Sequence, residues 1–157
     1  MKINHFRISK YNPNYRIDGI YTKNEWTSIF DVGKIFENHI FTIDEYMATE
    51  YKYINCYNDI IANANIKFLR VCQLEKNIGT DWENNQLLRF DLIKKFISQC
   101  LQEKCWGKLE SRNFYIHFGY DYYTYLGTTL HEDVINQICD KYGLYCEKFK
   151  SPYAKKQ

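Results

Sequence analysis

A chain of 157 residues, 45% apolar and 25% charged, is long enough to bury a core in one domain and too apolar to stay unfolded. No run approaches the roughly 18 apolar residues a membrane-spanning helix needs. The opening Met1-Lys-Ile-Asn-His-Phe-Arg7 has no apolar h-region, so no secretory signal is expected. Without an export signal, the six cysteines (Cys56, Cys72, Cys100, Cys105, Cys139 and Cys146) read as reduced, buried and small-apolar, and the chain as a soluble cytoplasmic protein.

The net charge of +2 is unevenly placed. Residues 2–16 carry Lys2, Arg7, Lys10 and Arg16 with no acid, and the C-terminal end carries Lys141, Lys148, Lys150, Lys155 and Lys156. Between them, residues 18–59 hold eight acids against three lysines. An acidic helical face between two basic ends can steer a basic partner, or it can simply be solvated.

In chain order, residues 2–9 alternate as a short strand, and turn clusters at Tyr11-Asn-Pro-Asn-Tyr15 and Asp18-Gly19 end it. Thr22-x-x-Glu25 has capping-box spacing and predicts a helix with Trp26, Ile29, Phe30, Gly33 and Phe36 on one face. Thr42-x-x-Glu45 is a second box, opening a helix over 43–63. Ile43, Tyr46, Met47, Ile54, Tyr57 and Ile61 follow helical spacing there; the helix should bury Ile43, Met47, Ile54 and Ile61 and turn Asp44, Glu45, Glu50 and Asp59 to solvent. Residues 67–74 read as a strand, 77–85 as a polar loop, and 86–104 as a helix with Leu88, Leu92, Phe96, Ile97, Cys100 and Leu101 as its stripe.

The strongest signal is Phe114–Gly127. Phe114, Ile116 and Phe118 alternate with Tyr115 and His117. Gly119-Tyr120-Asp121 supplies turn chemistry, and alternation resumes from Tyr122 to Leu126, so the stretch reads as a β-hairpin at the centre of a sheet. Thr129-x-x-Glu132 then opens a helix ending at Gly143, residues 144–149 form a closing strand, and 151–157 read as a loose basic tail. The sum is a single α+β domain over 1–157, with an antiparallel or mixed sheet, a central Tyr-rich hairpin and three to four helices.

Catalytic signatures are absent. There is no phosphate-cradling glycine loop, no Gly-x-Ser-x-Gly elbow, and no Cys-x-x-Cys pair or His beside Cys100 and Cys105 to hold zinc. No enzyme activity, cofactor or metal is therefore expected. His117 and Asp121, bracketing the turn, are the acid–base candidates by position; the alternative is a histidine on the polar strand face and an aspartate making the turn. Tyr115, Tyr120, Tyr122, Tyr123 and Tyr125 could stack on bases, but residues 113–130 contain no Lys or Arg to neutralise phosphate. A small RNA-binding or RNA-processing protein using His117 and these tyrosines is the competing reading.

Several segments together, Tyr11-Asn-Pro-x-Tyr15, Asp18-Gly19-x-Tyr21, Glu25-Trp-Thr-Ser28 with Asp31-Val-Gly-Lys34, and Phe114–Tyr123, resemble small bacterial proteins. These are the immunity proteins encoded beside polymorphic and contact-dependent growth-inhibition toxins. The resemblance spans most of the chain and carries over no defined contact residue. It implies a non-catalytic role: tight binding of a cognate toxin domain, often a nuclease, inside the producing cell. On that reading Asp44, Glu45, Glu50 and Asp59 would attract a basic toxin domain, and Tyr120 and Tyr122 would contact it.

Overall fold

The computed structural model describes residues 2–76 and 79–155, with Lys76 by its backbone alone. The first two residues of the expected 77–85 loop and the last two of the expected tail lie outside that range. The fold is α+β. Among the described residues, β1 (Asn4–Ser9) is followed by two small hairpins, β2–β3 (Arg16–Ile17, Ile20–Tyr21) and β4–β5 (Ile35–Phe36, His39–Ile40). Then come α1 (Ile43–Asn63), β6 (Leu69–Lys76), β7 (Leu87–Leu88), α2 (Phe90–Leu101), β8 (Cys105–Ser111), β9 (Phe114–Phe118), β10 (Thr124–Thr128), α3 (Glu132–Tyr142) and β11 (Tyr145–Lys148).

Seven strands pair in one antiparallel sheet, ordered β11-β1-β10-β9-β8-β6-β7, so the β9–β10 hairpin lies inside it. Register sorts the side chains cleanly. Phe6, Leu126, Ile116 and Leu109 align across four strands and are all buried. Each such side chain contributes about 1.5–3 kcal/mol by leaving water. The opposite face carries Arg7, Tyr125 and His117 in one row and His5, Gly127, Tyr115 and Glu110 in the next. Gly127 is obligatory there, because a Cβ would lie 2.2 Å from the Tyr115 ring that crosses it.

That second face is not left to water. The expected loose tail docks on it: Ser151 is buried, Tyr153 packs edge-on against Trp106 and Tyr125, and buried Lys108 donates to the Tyr153 carbonyl. Phe149 lies against Tyr125 and under the Arg7 guanidinium. Every residue of β9 and β10 is consequently buried.

One helix begins and another ends where the expected caps place them. Thr42 Oγ1 accepts from the Glu45 amide at 3.2 Å, and Asp44 and Glu45 meet the positive end of α1. Gly143 closes α3 in the left-handed conformation at φ 69°, while the start of α3 is capped by His131 rather than Thr129. α2 starts at Phe90, later than its periodicity suggests, because Leu87 and Leu88 pair with β6; Ile93 is buried and Leu92 is exposed.

Two further expectations fail, and one strand was not anticipated. The helix over Trp26–Phe36 is replaced by a single 3-10 turn, Ile29–Asp31, and the β4–β5 hairpin. Its supposed cap Thr22 donates to the Tyr15 carbonyl instead, and Trp26 stacks on Phe41 at 4.4 Å. The sequence also gave no warning of β8, whose Gly107 lets Phe96 of α2 close onto the sheet. The second hairpin strand begins at Thr124, since Asp121 and Tyr122 both take positive φ and still belong to the turn.

Candidate functional site

The expected site residues separate into three places. Asp44 is exposed at the start of α1, and Glu45, half-exposed, pairs with His39. Asp59 lies near the other end of the helix, holding Lys141 at 3.1 Å and the Tyr142 hydroxyl at 2.6 Å. Those two partners keep its carboxyl below the ordinary range. Glu50 is not on the surface at all. At 2% exposure it accepts from Tyr46 (2.8 Å), Ser98 (3.0 Å) and Gln102 (2.8 Å), tying α1 to α2. The buried stripe of α1 is Tyr46, Glu50, Tyr53, Tyr57 and Ile60, at i+3 and i+4 spacing, while Ile43 is 50% exposed and Met47 and Ile54 only flank the core. Of the six residues at helical spacing, Tyr46, Tyr57 and Ile61 are buried as expected, and the tyrosines fit the core because each hydroxyl has a buried partner.

Tyr120 and Tyr122 part company as well. Tyr120 is 85% exposed at the hairpin tip, whereas Tyr122 is 5% exposed and donates to the Leu101 carbonyl at 2.6 Å. Tyr122 is therefore no surface contact. Its left-handed backbone, rare for an aromatic residue, is held from both sides. Tyr53 donates to the Tyr122 carbonyl at 2.7 Å, and Tyr11 donates to the Asp121 carbonyl at 2.6 Å. Burial pushes all three phenols far above their ordinary pKa, so they stay neutral donors.

Beside this turn lies a cavity of about 410 Å³, bounded by Trp106, Tyr120, Asp121, Tyr153, Glu75 and Glu103 among others. Its walls, as far as the described residues form them, combine aromatic rings with carboxylates and include no Lys or Arg. Such walls suit an apolar or cationic group rather than a phosphate.

His117 is fully buried and bridges Ser151 (2.7 Å at Nδ1) and Glu110 (2.8 Å at Nε2). Burial lowers its pKa, outweighing the Glu110 carboxylate that raises it. A neutral ring donating to Glu110 and accepting from the Ser151 hydroxyl satisfies every partner. The trio has the composition of a hydrolase relay, but Ser151 Oγ is closed over by the Tyr153 amide at 3.1 Å and lines no described cavity. The geometry is that of a latch for the C-terminal segment. His117 is thus neither at the hairpin tip nor within reach of a nucleic acid, and Asp121 does not join it. Among the described residues, no three His, Cys, Asp or Glu side chains converge as a metal site, and no helix is long and apolar enough to cross a membrane.

The surface feature that charge patterning missed is apolar. In β2–β3, Ile17 and Ile20 face each other across the turn at 67% and 71% exposure. In β4–β5, Ile35 and Ile40 do the same at 66% and 57%. Both turns have two residues at positive φ, Asp18-Gly19 and Glu37-Asn38, the geometry that matches strand twist in a two-residue hairpin. Each hairpin therefore carries an exposed isoleucine pair and an acid at its tip. Phe30, at 73%, and Ile43, at 50%, are further exposed apolar residues between and after them in sequence. The sequence signal was present: Ile-Asp-Gly-Ile is a turn between apolar residues with no long strand behind it.

No family model, curated protein or solved structure matches this chain.

Proposed function

We propose that the protein is a non-catalytic binding protein of the immunity type, neutralising a cognate bacterial toxin domain by docking through its two small hairpins and the first turn of α1. One observation carries this reading: Ile17, Ile20, Phe30, Ile35, Ile40 and Ile43, all within residues 17–43, are each at least half exposed. Large apolar side chains concentrated in one short stretch, with Asp18, Glu37 and Asp44 beside them in sequence, have the make-up of an interface with apolar anchors and charged neighbours. The acids favour a basic partner surface, as a nuclease domain would present. The resemblance to toxin-immunity proteins points the same way, and on that reading the protein would act inside the producing cell.

The test is protection. The C-terminal domain of the product of the adjacent upstream gene is expressed in a heterologous bacterial host, with and without this protein. Growth should be arrested by the domain alone and restored by co-expression, and Ile35→Asp/Ile40→Asp should lose protection while retaining native circular dichroism. A domain that is not toxic, or a double variant that protects fully, would overturn the assignment.

A further inference from the structure

Two cysteine pairs sit in van der Waals contact. Cys100, in the last turn of α2, has its Sγ 3.8 Å from that of Cys105, the first residue of β8. Cys56 of α1 and Cys139 of α3 have theirs 3.9 Å apart. The separations are nearly equal, but the surroundings are not. Cys100 and Cys105 both line the cavity beside the hairpin turn. All four are buried, Cys100 and Cys105 at 9% and 2% exposure and Cys56 and Cys139 at 0% and 1%, so the cavity is what distinguishes the pairs: Cys56 and Cys139, the latter also in contact with Cys146 of β11, line none that is described.

We infer that Cys100 and Cys105 are a peroxide-reactive dithiol site that closes reversibly to a disulfide within the cavity. A cavity of about 410 Å³ admits a molecule as small as a peroxide without unfolding. The two thiols also have divided roles. Burial pushes Cys100 up, while the hydrogen bond from Cys100 lowers Cys105, which makes Cys105 the attacking thiolate. The Cys105 thiolate attacks one peroxide oxygen and displaces hydroxide, giving a sulfenic acid. Cys100 then attacks the Cys105 sulfur; its proton and the sulfenic oxygen leave as water. Two thiols and one hydrogen peroxide become one disulfide and two waters, the sulfurs losing the two electrons that the peroxide gains. A dithiol reductant reverses it by exchange.

The site matters because of what lies in the loop it closes. Leu101 offers the carbonyl that Tyr122 binds, and Glu103 accepts from Ser28, which caps the 3-10 turn ahead of β4–β5. Oxidation therefore pins the segment that supports the strained hairpin turn on one side and the path to the exposed hairpins on the other.

The native protein is treated with hydrogen peroxide, freed of it, denatured and alkylated, then digested with trypsin and analysed by mass spectrometry. Cleavage after Lys104 places the two cysteines in separate peptides, 96–104 and 105–108. Expected are the linked pair of these peptides, its disappearance after dithiothreitol, and alkylatable Cys56 and Cys139 throughout. In Cys100→Ser the link must vanish and Cys105 must instead take a sulfenic-acid trap such as dimedone. Peroxide that leaves both peptides unlinked, or that links Cys56 to Cys139 as fast as Cys100 to Cys105, would overturn the inference.

Discussion

The Tyr53 hydroxyl bridges two distant segments: it accepts from the Lys10 amide at 2.8 Å and donates to the Tyr122 carbonyl at 2.7 Å. One oxygen on α1 thereby satisfies the end of β1 and the strained residue of the β9–β10 turn. Tyr53→Phe keeps the ring and removes the bridge, leaving a buried donor and a buried acceptor unpaired. Chemical denaturation should show a loss on the order of 3 kcal/mol, since each orphaned group costs about 1–3 kcal/mol. A loss under about 0.5 kcal/mol, the range of ordinary surface changes, would mean water replaces the hydroxyl freely.

Glu50 and Asp44 lie on the same helix with opposite consequences. Glu50→Ala strands the Tyr46, Ser98 and Gln102 donors at the α1–α2 seam, and should destabilise by roughly 2–4 kcal/mol. Asp44→Ala removes an exposed charge from a helix start and should cost only about 0.3–1 kcal/mol. Urea midpoints of the two variants, compared with an unchanged m-value, separate these cases. Equal losses would place Glu50 on the surface after all.

The buried histidine gives stability a pH dependence of definite sign. Unfolded, His117 has the ordinary value of 6.5; folded, burial and Lys108 lower it, against Glu110, which raises it. Below 6.5 the unfolded chain therefore binds more protons than the folded one, so stability is complete above that pH and falls as pH drops towards the folded value. His5, lowered by burial and Lys150, adds the same sign. Glu110, held below the usual carboxylate range chiefly by its bond to His117, adds a loss at more acidic pH. Urea midpoints should drop between pH ~7.5 and ~5.5, bracketing the ordinary histidine value. The drop should be smaller in His117→Gln; a variant with the wild-type slope would exclude His117 as its source.

What the sequence disclosed was periodicity. The hairpin, β1, β6, β11 and the spans of α1 and α3 follow from alternation, caps and Gly143, all local signals. What it concealed was partnership. Phe114–Phe118 alternates whether or not something covers the Tyr115 and His117 side, so Ser151 and Tyr153 could not be foreseen there. Glu50 looked like one more acid on a charged face because its three donors come from α1 and from a helix about 50 residues away. Trp26–Phe36 had helical spacing, but Phe41 stacks on Trp26 and the Glu37-Asn38 turn folds the segment into a hairpin. Tyr122 misled in the same way, since its place in the turn suggested surface while its ring is buried.

The proposed interface makes separate demands on its charged tips and its isoleucines. Rim charges act mainly on encounter, and their reach is about 10 Å at 0.1 M salt. Glu37→Lys/Asp44→Lys should slow association with the toxin domain several-fold at low salt, with the effect shrinking as salt rises. The isoleucines act after contact, when their area leaves water, so Ile35→Ser/Ile40→Ser should leave association nearly unchanged and speed dissociation at least tenfold, about 1.4 kcal/mol. Because both side chains are more than half exposed in the free protein, its own stability should move little. Surface plasmon resonance across a salt series reads both rates. Dissociation unaffected by the isoleucine pair would remove β4–β5 from the interface, and association indifferent to charge at low salt would remove the acids.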